Sequence, residues 1–291
     1  MFRITNNKRE SIIKKNVLLT WVNPFLPLTS LCSVETSLPM RRTATVLSLS
    51  LPKITSVVQG KPDTKEWRLF FKSSGDVTIS TWHDLPCQPK ESGVDLFTFV
   101  SEIPRGTRAK LEMLKEEQHN PIGQDIHKKE PGKPLRYFTY GDMPFNYGFI
   151  PRTWESPDHV DPDTKCSGDG DPIDVVQISS VPTLPGVCQP VRVLGVLALI
   201  DQGETDWKIL AEPLDSEYGH LSKVPKELKE KVIDWFRNYK TTDGKKQNEF
   251  AFNGEIKGAE EAIRIIHECA EQYKQLISDK ADQKNHGYWL K

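Results

Sequence analysis

Cysteine is scarce and scattered in this chain: Cys32, Cys87, Cys166, Cys188 and Cys269 are five in number, lie far apart and form no C-x-x-C pair. That argues against a disulfide framework and against a zinc site of the usual spacing, and it leaves reduced, mostly structural thiols. A long apolar run is missing too. The most apolar stretch, Val191 to Ile200, is about ten residues, half of the roughly 20 that a membrane-spanning helix needs, so no transmembrane segment is predicted. Nor is there a surplus of basic charge. The formal net charge of −1 argues against a general nucleic-acid-binding surface, which shows a basic excess or stripe. His83, His119, His127, His159, His220, His267 and His286 show no ligand spacing, and no internal repeat or low-complexity block is visible.

What is present is the composition of a soluble globular protein: 291 residues, 37% hydrophobic and 27% charged, enough to bury a core. The exception is the beginning. From Met1 to Arg42 the basic residues are Arg3, Lys8, Arg9, Lys14, Lys15, Arg41 and Arg42, against Glu10 and Glu35 as the only acids. The stretch is rich in Ser and Thr, and its apolar part is broken by Pro24 and Pro27. Residues 1–45 therefore read as a targeting segment, mitochondrial ahead of plastid, with a cytoplasmic protein as the reading if the segment is not removed. Residues 46–64 read as a linker, 65–280 as the folded domain and 281–291 as a tail.

Short β-like runs dominate from Trp67 onward: Trp67–Phe71, Val77–Ser80, Leu96–Val100, Ala109–Leu114, Asp174–Ile178 and Val191–Ile200, punctuated by turn formers. Ala109 to Leu114 alternates, which sets Lys110 and Glu112 on one, wet face and Leu111 and Met113 on the other. Two helices are predicted late. Leu228, Val232, Trp235, Phe236 and Tyr239 recur at three-to-four spacing, as do Ala262, Ile265, Ile266, Cys269, Tyr273 and Leu276. Strands followed by segregated helices predict an α+β domain on a curved sheet or small barrel.

The chemistry-bearing pattern is acidic. Gly168-Asp169-Gly170-Asp171-Pro172-Ile173-Asp174 leads straight into the apolar Val175-Val176, so three carboxylates stand at a strand entrance. A polar turn would use the same residue types. A calcium loop starting at Asp169 would need an oxygen ligand, Gly and Glu where Ile173, Asp174 and Ser180 stand. Oxygen donors without a neighbouring His or Cys favour a hard cation, Mg²⁺ or Mn²⁺. Asp201-Gln202-Gly203-Glu204-Thr205-Asp206-Trp207-Lys208 places a second acidic cluster at the exit of the most apolar strand. Were Glu102, Glu112, Asp169, Asp171, Asp174, Asp201 and Asp206 to line one cleft, they would outnumber Lys110, Arg136, Lys208 and Lys240 seven to four. Like charges about 4 Å apart repel by roughly 4 kcal/mol at an effective dielectric near 20. Such a cleft admits an anion only with divalent cations, the arrangement of two-metal phosphoryl hydrolysis. A nucleotide phosphohydrolase and a single-strand-binding barrel are the rivals. Both want base-stacking aromatics, and none interleaves the basic candidates.

Asp169-Gly170-Asp171-Pro172-Ile173-Asp174-Val175 resembles the signature of the family I soluble inorganic pyrophosphatases, nearest the eukaryotic type. Glu102-Ile103-Pro104-Arg105, Ala109-Lys110-Leu111-Glu112, Asn146-Tyr147-Gly148, Pro151 to Glu155, Asp201 to Lys208 and Trp235 to Lys240 resemble further family blocks in order. The resemblance runs over about residues 65 to 278. It implies an oligonucleotide-binding-like, five-stranded closed barrel with flanking strands and two C-terminal helices, acting as a Mg²⁺-dependent inorganic diphosphatase with Mn²⁺ as a substitute. It further implies that Asp169, Asp174 and Asp206 hold the tighter activating metal, and that Asp174 also reaches a second. Asp201 and Asp206 would hold the metal that arrives with pyrophosphate, with Glu102 and Glu112 acting through metal-bound waters. Asp171 would take the proton of a metal-bridging water, the nucleophile, while Lys110, Arg136, Tyr147, Lys208, Tyr239 and Lys240 bind the two phosphoryl groups. The implied partner is pyrophosphate, with neither nucleic acid nor membrane, and both a monomer and a homodimer fit. The stretch from Arg136 to Tyr147 is shorter than in the animal and fungal enzymes, and Gln202 and Gly106 stand where the family usually has Glu and, in its eukaryotic group, Trp.

Overall fold

The computed structural model describes residues 51–90, 92–278 and 286–291. The targeting segment expected at residues 1–45 lies outside the described residues. Five strands close into a ring: β4 (Leu96–Ile103), β9 (Cys188–Asp201), β10 (Glu204–Pro213), β8 (Asp174–Gln177) and β7 (Asn146–Phe149), the last returning to β4. Four of the pairings are antiparallel and β8–β10 is parallel. This is the expected small closed barrel. Two short strands, β11 (Glu249–Phe250) and β12 (Lys257–Gly258), add to β9.

Beside the ring lies a second sheet in the order β1 (Ile54–Gln59), β2 (Arg68–Ser73), β6 (Ile122–Gln124), β5 (Leu111–Met113), with β3 (Thr78–Ile79) on β2. Residues 46–64 are thus not simply a linker, because Ile54 to Gln59 pair with β2 along their whole length. The pattern was weak because only Ile54 and Val57 of this strand are partly covered. Nor are residues 286–291 a free tail. Tyr288 is buried among Trp82, Trp154 and Tyr273.

Helix α1 (Lys226–Asn238) and helix α2 (Ala259–Ser278) carry the two predicted stripes. They take opposite faces of the ring wall, because side chains alternate along a strand. On β9 and β10, Val193, Val196, Ala198, Trp207, Ile209 and Ala211 pack with Ala262, Ile265, Ile266 and Cys269 of α2. Leu194, Leu197, Leu199 and Leu210 pack with Val232, Trp235 and Phe236 of α1. Each fully buried aliphatic or aromatic side chain of this kind contributes about 1.5–3 kcal/mol, so the two stripes fix which strand face is left for polar groups. Among the described residues no helix is long and apolar enough to cross a membrane.

Candidate active site

The ring wall sets the site by register. On β10, Asp206 and Lys208 alternate with Trp207 and Ile209, so they share the face of Leu210 that α1 covers. Parallel pairing puts Lys208 opposite Asp174, the first residue of β8. The acidic cluster at 201–208 is a strand exit and more. Asp201 ends β9, Gln202 and Gly203 turn the chain with positive φ of 54° and 91°, and the strand resumes at Glu204. A two-residue turn with both φ positive matches the twist of a hairpin, and it keeps Asp201 and Asp206 on strands rather than on a loose loop.

Lys208 is the hub, with only 2% of its surface exposed. Its Nζ pairs with Asp174 and Asp206 and donates to the Tyr147 hydroxyl at 2.9 Å. Burial works against its charge, but the two aspartates overcome that and hold the ammonium well above its usual range. Asp201, at the end of β9, accepts from the Tyr239 hydroxyl at 3.0 Å and pairs with Lys240. Lys110 pairs with Glu112, as their shared strand face predicts, and with Asp125 at 3.0 Å. Arg136 joins the same Asp125. Glu102, inside β4, accepts from the Met113 backbone N–H at 2.6 Å. Asp171 pairs with Lys115.

All thirteen residues singled out from the sequence therefore enter these contacts or the charge couplings between them. Burial, then the Asp174 charge, pushes the Glu102 carboxyl well up, with Glu112 and Asp171 adding to it. Burial raises Asp169 strongly, with Asp171, Asp206 and Asp174 contributing in turn. Burial lifts Asp206 to about 7 against the pull of Lys208. The Tyr147 and Tyr239 phenols are pushed well up by burial and then by Asp174 and Asp201 respectively, so both stay protonated.

Three further residues belong here that motif reading did not assign. Glu155 is buried and accepts from the Trp207 backbone N–H at 2.8 Å through one oxygen, while its Oε2 has no hydrogen-bond partner. Glu155, Asp169 and Asp206 bring one ligand oxygen each within 4.8 Å of one another. Oxygens held at about 2.1 Å by one Mg²⁺ stand at most about 4.2 Å apart, so small side-chain adjustments bring all three onto one ion. An orphaned buried carboxylate oxygen among other carboxylates, with no nitrogen or sulfur donor, fits a hard cation. Asp125, between Lys110 and Arg136, has its carboxyl lowered, burial being overcome by those two cations. Lys115 is the third. The signal for Glu155 lay in two glycines. A Cβ on Gly168 would meet the Glu155 backbone at 2.3 Å, and the Gly170 N–H donates to the Glu155 carbonyl at 2.8 Å. Close backbone approach requires Gly there.

An acid-rich pocket that needs cations before an anion enters, framed by lysines, an arginine and neutral phenols, is built for metal-assisted hydrolysis of a small phosphoryl anion. The comparisons agree with that class. The inorganic pyrophosphatase family model matches residues 99–274. The inorganic pyrophosphatase of Mus musculus is 42% identical over 238 residues, covering 79% of this chain and 81% of its own. Among solved structures, the inorganic pyrophosphatase of Schistosoma japonicum superposes with a TM-score of 0.72 at 39% identity, over 77% of this chain and 81% of that one. The N-terminally truncated vacuolar soluble pyrophosphatase of Trypanosoma cruzi, in complex with PPi, gives a TM-score of 0.71 at 31% identity, over 87% and 98%. The chain belongs to the inorganic pyrophosphatases, in their soluble family I, and is an enzyme of pyrophosphate hydrolysis.

Proposed function

We propose that the protein splits pyrophosphate into two phosphates with Mg²⁺, for which Mn²⁺ substitutes, held by Asp169, Asp174, Asp201 and Asp206 with Glu155 beside them, and by Glu102 and Glu112 through water. The metal supplies positive charge to the phosphate oxygens and makes water a stronger acid. The chain's own residues do the rest. Arg136 presents a planar fork suited to phosphate, and Lys110, Lys208 and Lys240 act as point charges. Tyr147 accepts from Lys208 and lies beside the Asp174 carboxylate as a neutral phenol, a hydroxyl that can turn to donate to a phosphoryl oxygen. Tyr239 is a second neutral donor. Asp171, with its side chain 49% exposed, takes the proton of the attacking water and has a path to pass it to solvent. The same electrostatic frame favours the charge that builds on the leaving phosphate.

The observation that carries this reading is the Glu155–Asp169–Asp206 oxygen cluster next to the buried Lys208. Phosphate release from pyrophosphate and from ATP, each with Mg²⁺ and with EDTA, tests it. Release should need Mg²⁺ and favour pyrophosphate strongly; a preference for ATP, or indifference to EDTA, would overturn it. We further propose that residues 1–45 direct the protein to the mitochondrion. Sequencing the first residues of the mature protein checks this, and an intact Met1 in a cytosolic fraction would refute it.

A further inference from the structure

Lys115 and the segment 286–291 form an unassigned cluster against the Asp169–Asp174 loop. Lys115 pairs with Asp171 and donates to the Gly170 carbonyl at 2.7 Å, so one ammonium holds both the side chain and the backbone of adjacent loop residues. The lysine is itself held from two sides. Its Nζ lies over the Tyr288 ring, 5.0 Å from the centroid. Its backbone carbonyl accepts from the Trp289 N–H at 2.8 Å and from Asn120 Nδ2 at 3.0 Å. Tyr288 also meets the loop directly. Gly170 has φ +80°, and a Cβ there would stand 2.5 Å from the Tyr288 hydroxyl. Tyr288 in turn is fixed among Trp82, Trp154 and His286.

We propose that Lys115, clasped by Tyr288 and Trp289, is a positioning residue that fixes the Asp171 carboxylate for its part in the reaction, and that segment 286–291 is a working part of the active site. The proposal rests on the reading of Asp171 as proton acceptor. A lone Asp–Lys pair with the acid half exposed would be worth little and would swing freely. Here the cation has its rotation removed by the Gly170 carbonyl, the Tyr288 face and a pinned backbone, so the carboxylate inherits one orientation. Misplacing a reacting group by about 1 Å costs on the order of 100-fold in rate.

The test is steady-state hydrolysis of magnesium pyrophosphate by the full chain at saturating Mg²⁺. Lys115→Met should lower kcat roughly 10- to 100-fold, the range for loss of a supporting contact, with KM for pyrophosphate within about twofold of wild type. Lys115→Arg should restore most of it, and Tyr288→Ala should follow Lys115→Met while Tyr288→Phe, which keeps the ring, falls less. The decisive comparison is Lys115→Met in an Asp171→Asn background. If the lysine acts through the aspartate, the second substitution adds little, whereas multiplied losses would overturn the proposal. Unchanged kcat in a folded Lys115→Met protein would overturn it as well. Near-wild-type kcat in Asp171→Asn alone, with Lys115→Met still slow, would instead strike at the role given to Asp171. Should Lys115→Met not fold, Tyr288→Ala, alone and in the Asp171→Asn background, carries the same test: an unchanged kcat, or losses that multiply, would overturn the proposal.

Discussion

Lys208 on β10 stands directly across from Asp174 on β8, and that parallel register is what drops its ammonium between the Asp174 and Asp206 carboxylates. A one-residue slip would turn Lys208 toward the α2 face and bring Trp207 or Ile209 into the pocket. The hydrophobic alternation that builds the ring is therefore also what aims the polar groups.

Lys208→Met removes the cation and leaves two partly or fully buried acids unpaired. Breaking a buried ion pair from one side costs about 3–5 kcal/mol. Denaturant unfolding in EDTA at pH 8 should show a loss of that order. The loss should shrink at pH 5, where Asp206, with its carboxyl raised to about 7, is already neutral.

Gly148→Ala should be more damaging than its size suggests. Gly148 lies in β7 against β4, and a Cβ there would stand 1.9 Å from the Val100 carbonyl oxygen and 2.9 Å from the Phe99 ring. The first obstacle is backbone, which cannot swing aside, so closure of the ring itself must shift. Overpacking of this kind costs at least about 1–3 kcal/mol. Thermal unfolding in EDTA should show a clear drop, and a midpoint within about 1 °C of wild type would refute the clash.

Much of this was legible in the sequence because it is periodic. The stripes of α1 and α2, the apolar β9 and the alternating Lys110–Glu112 face are local patterns, and each survives into the structure. The strand β10 was not read because its Thr205 to Lys208 mixes charge with core, and the acids drew attention to the hairpin end. Asp201 and Asp206 are ligand candidates and also flank a tight hairpin, so turn and site coexist in one segment. Asp125 and Lys115 are single charges with no local pattern, and Glu155, though it ends the block Pro151 to Glu155, had no role marked by its neighbours. They become site residues only through long-range approach, as where the Glu155 carbonyl meets the Gly170 N–H.

Asp171→Asn tests the proton acceptor. The amide keeps the volume and an oxygen for Lys115 to donate to, so the fold and Mg²⁺ binding should persist. Rate should fall by about two to four orders of magnitude, the usual range for removing a general base. Turnover near wild type, with unchanged Mg²⁺ dependence, would remove the role.

The metal-free protein should lose stability as pH rises. Asp206 moves from an ordinary 3.8 to about 7 on folding, and burial also raises Asp169 and Glu102. Below about pH 4 the folded and unfolded forms are both protonated there. Between about 4 and 7 the unfolded chain sheds protons that the folded one keeps, which favours unfolding. Mg²⁺ replaces those protons. The rise in thermal midpoint on adding Mg²⁺ should therefore be larger at pH 8 than at pH 5, and equal rises would contradict the carboxylate cluster as its site.

Glu155→Gln separates the metal from the fold. The amide oxygen can still accept from the Trp207 N–H, while the unpartnered second oxygen becomes a neutral donor facing Asp169 and Asp206. Burial, then their charges, hold the Glu155 carboxyl well up, so above the ordinary carboxylate range this acid favours the unfolded chain, a penalty that the neutral amide does not carry. In EDTA at pH 8 the variant should unfold at a higher temperature than wild type. Mg²⁺ affinity, read by calorimetry or by the Mg²⁺ concentration for half-maximal rate, should weaken by about 10- to 100-fold, as for the loss of a supporting group at a metal site. The two shifts run in opposite directions, which no simple loss of packing would produce. A variant less stable without metal and unaltered in Mg²⁺ affinity would make Glu155 a structural acid with no part in the metal site.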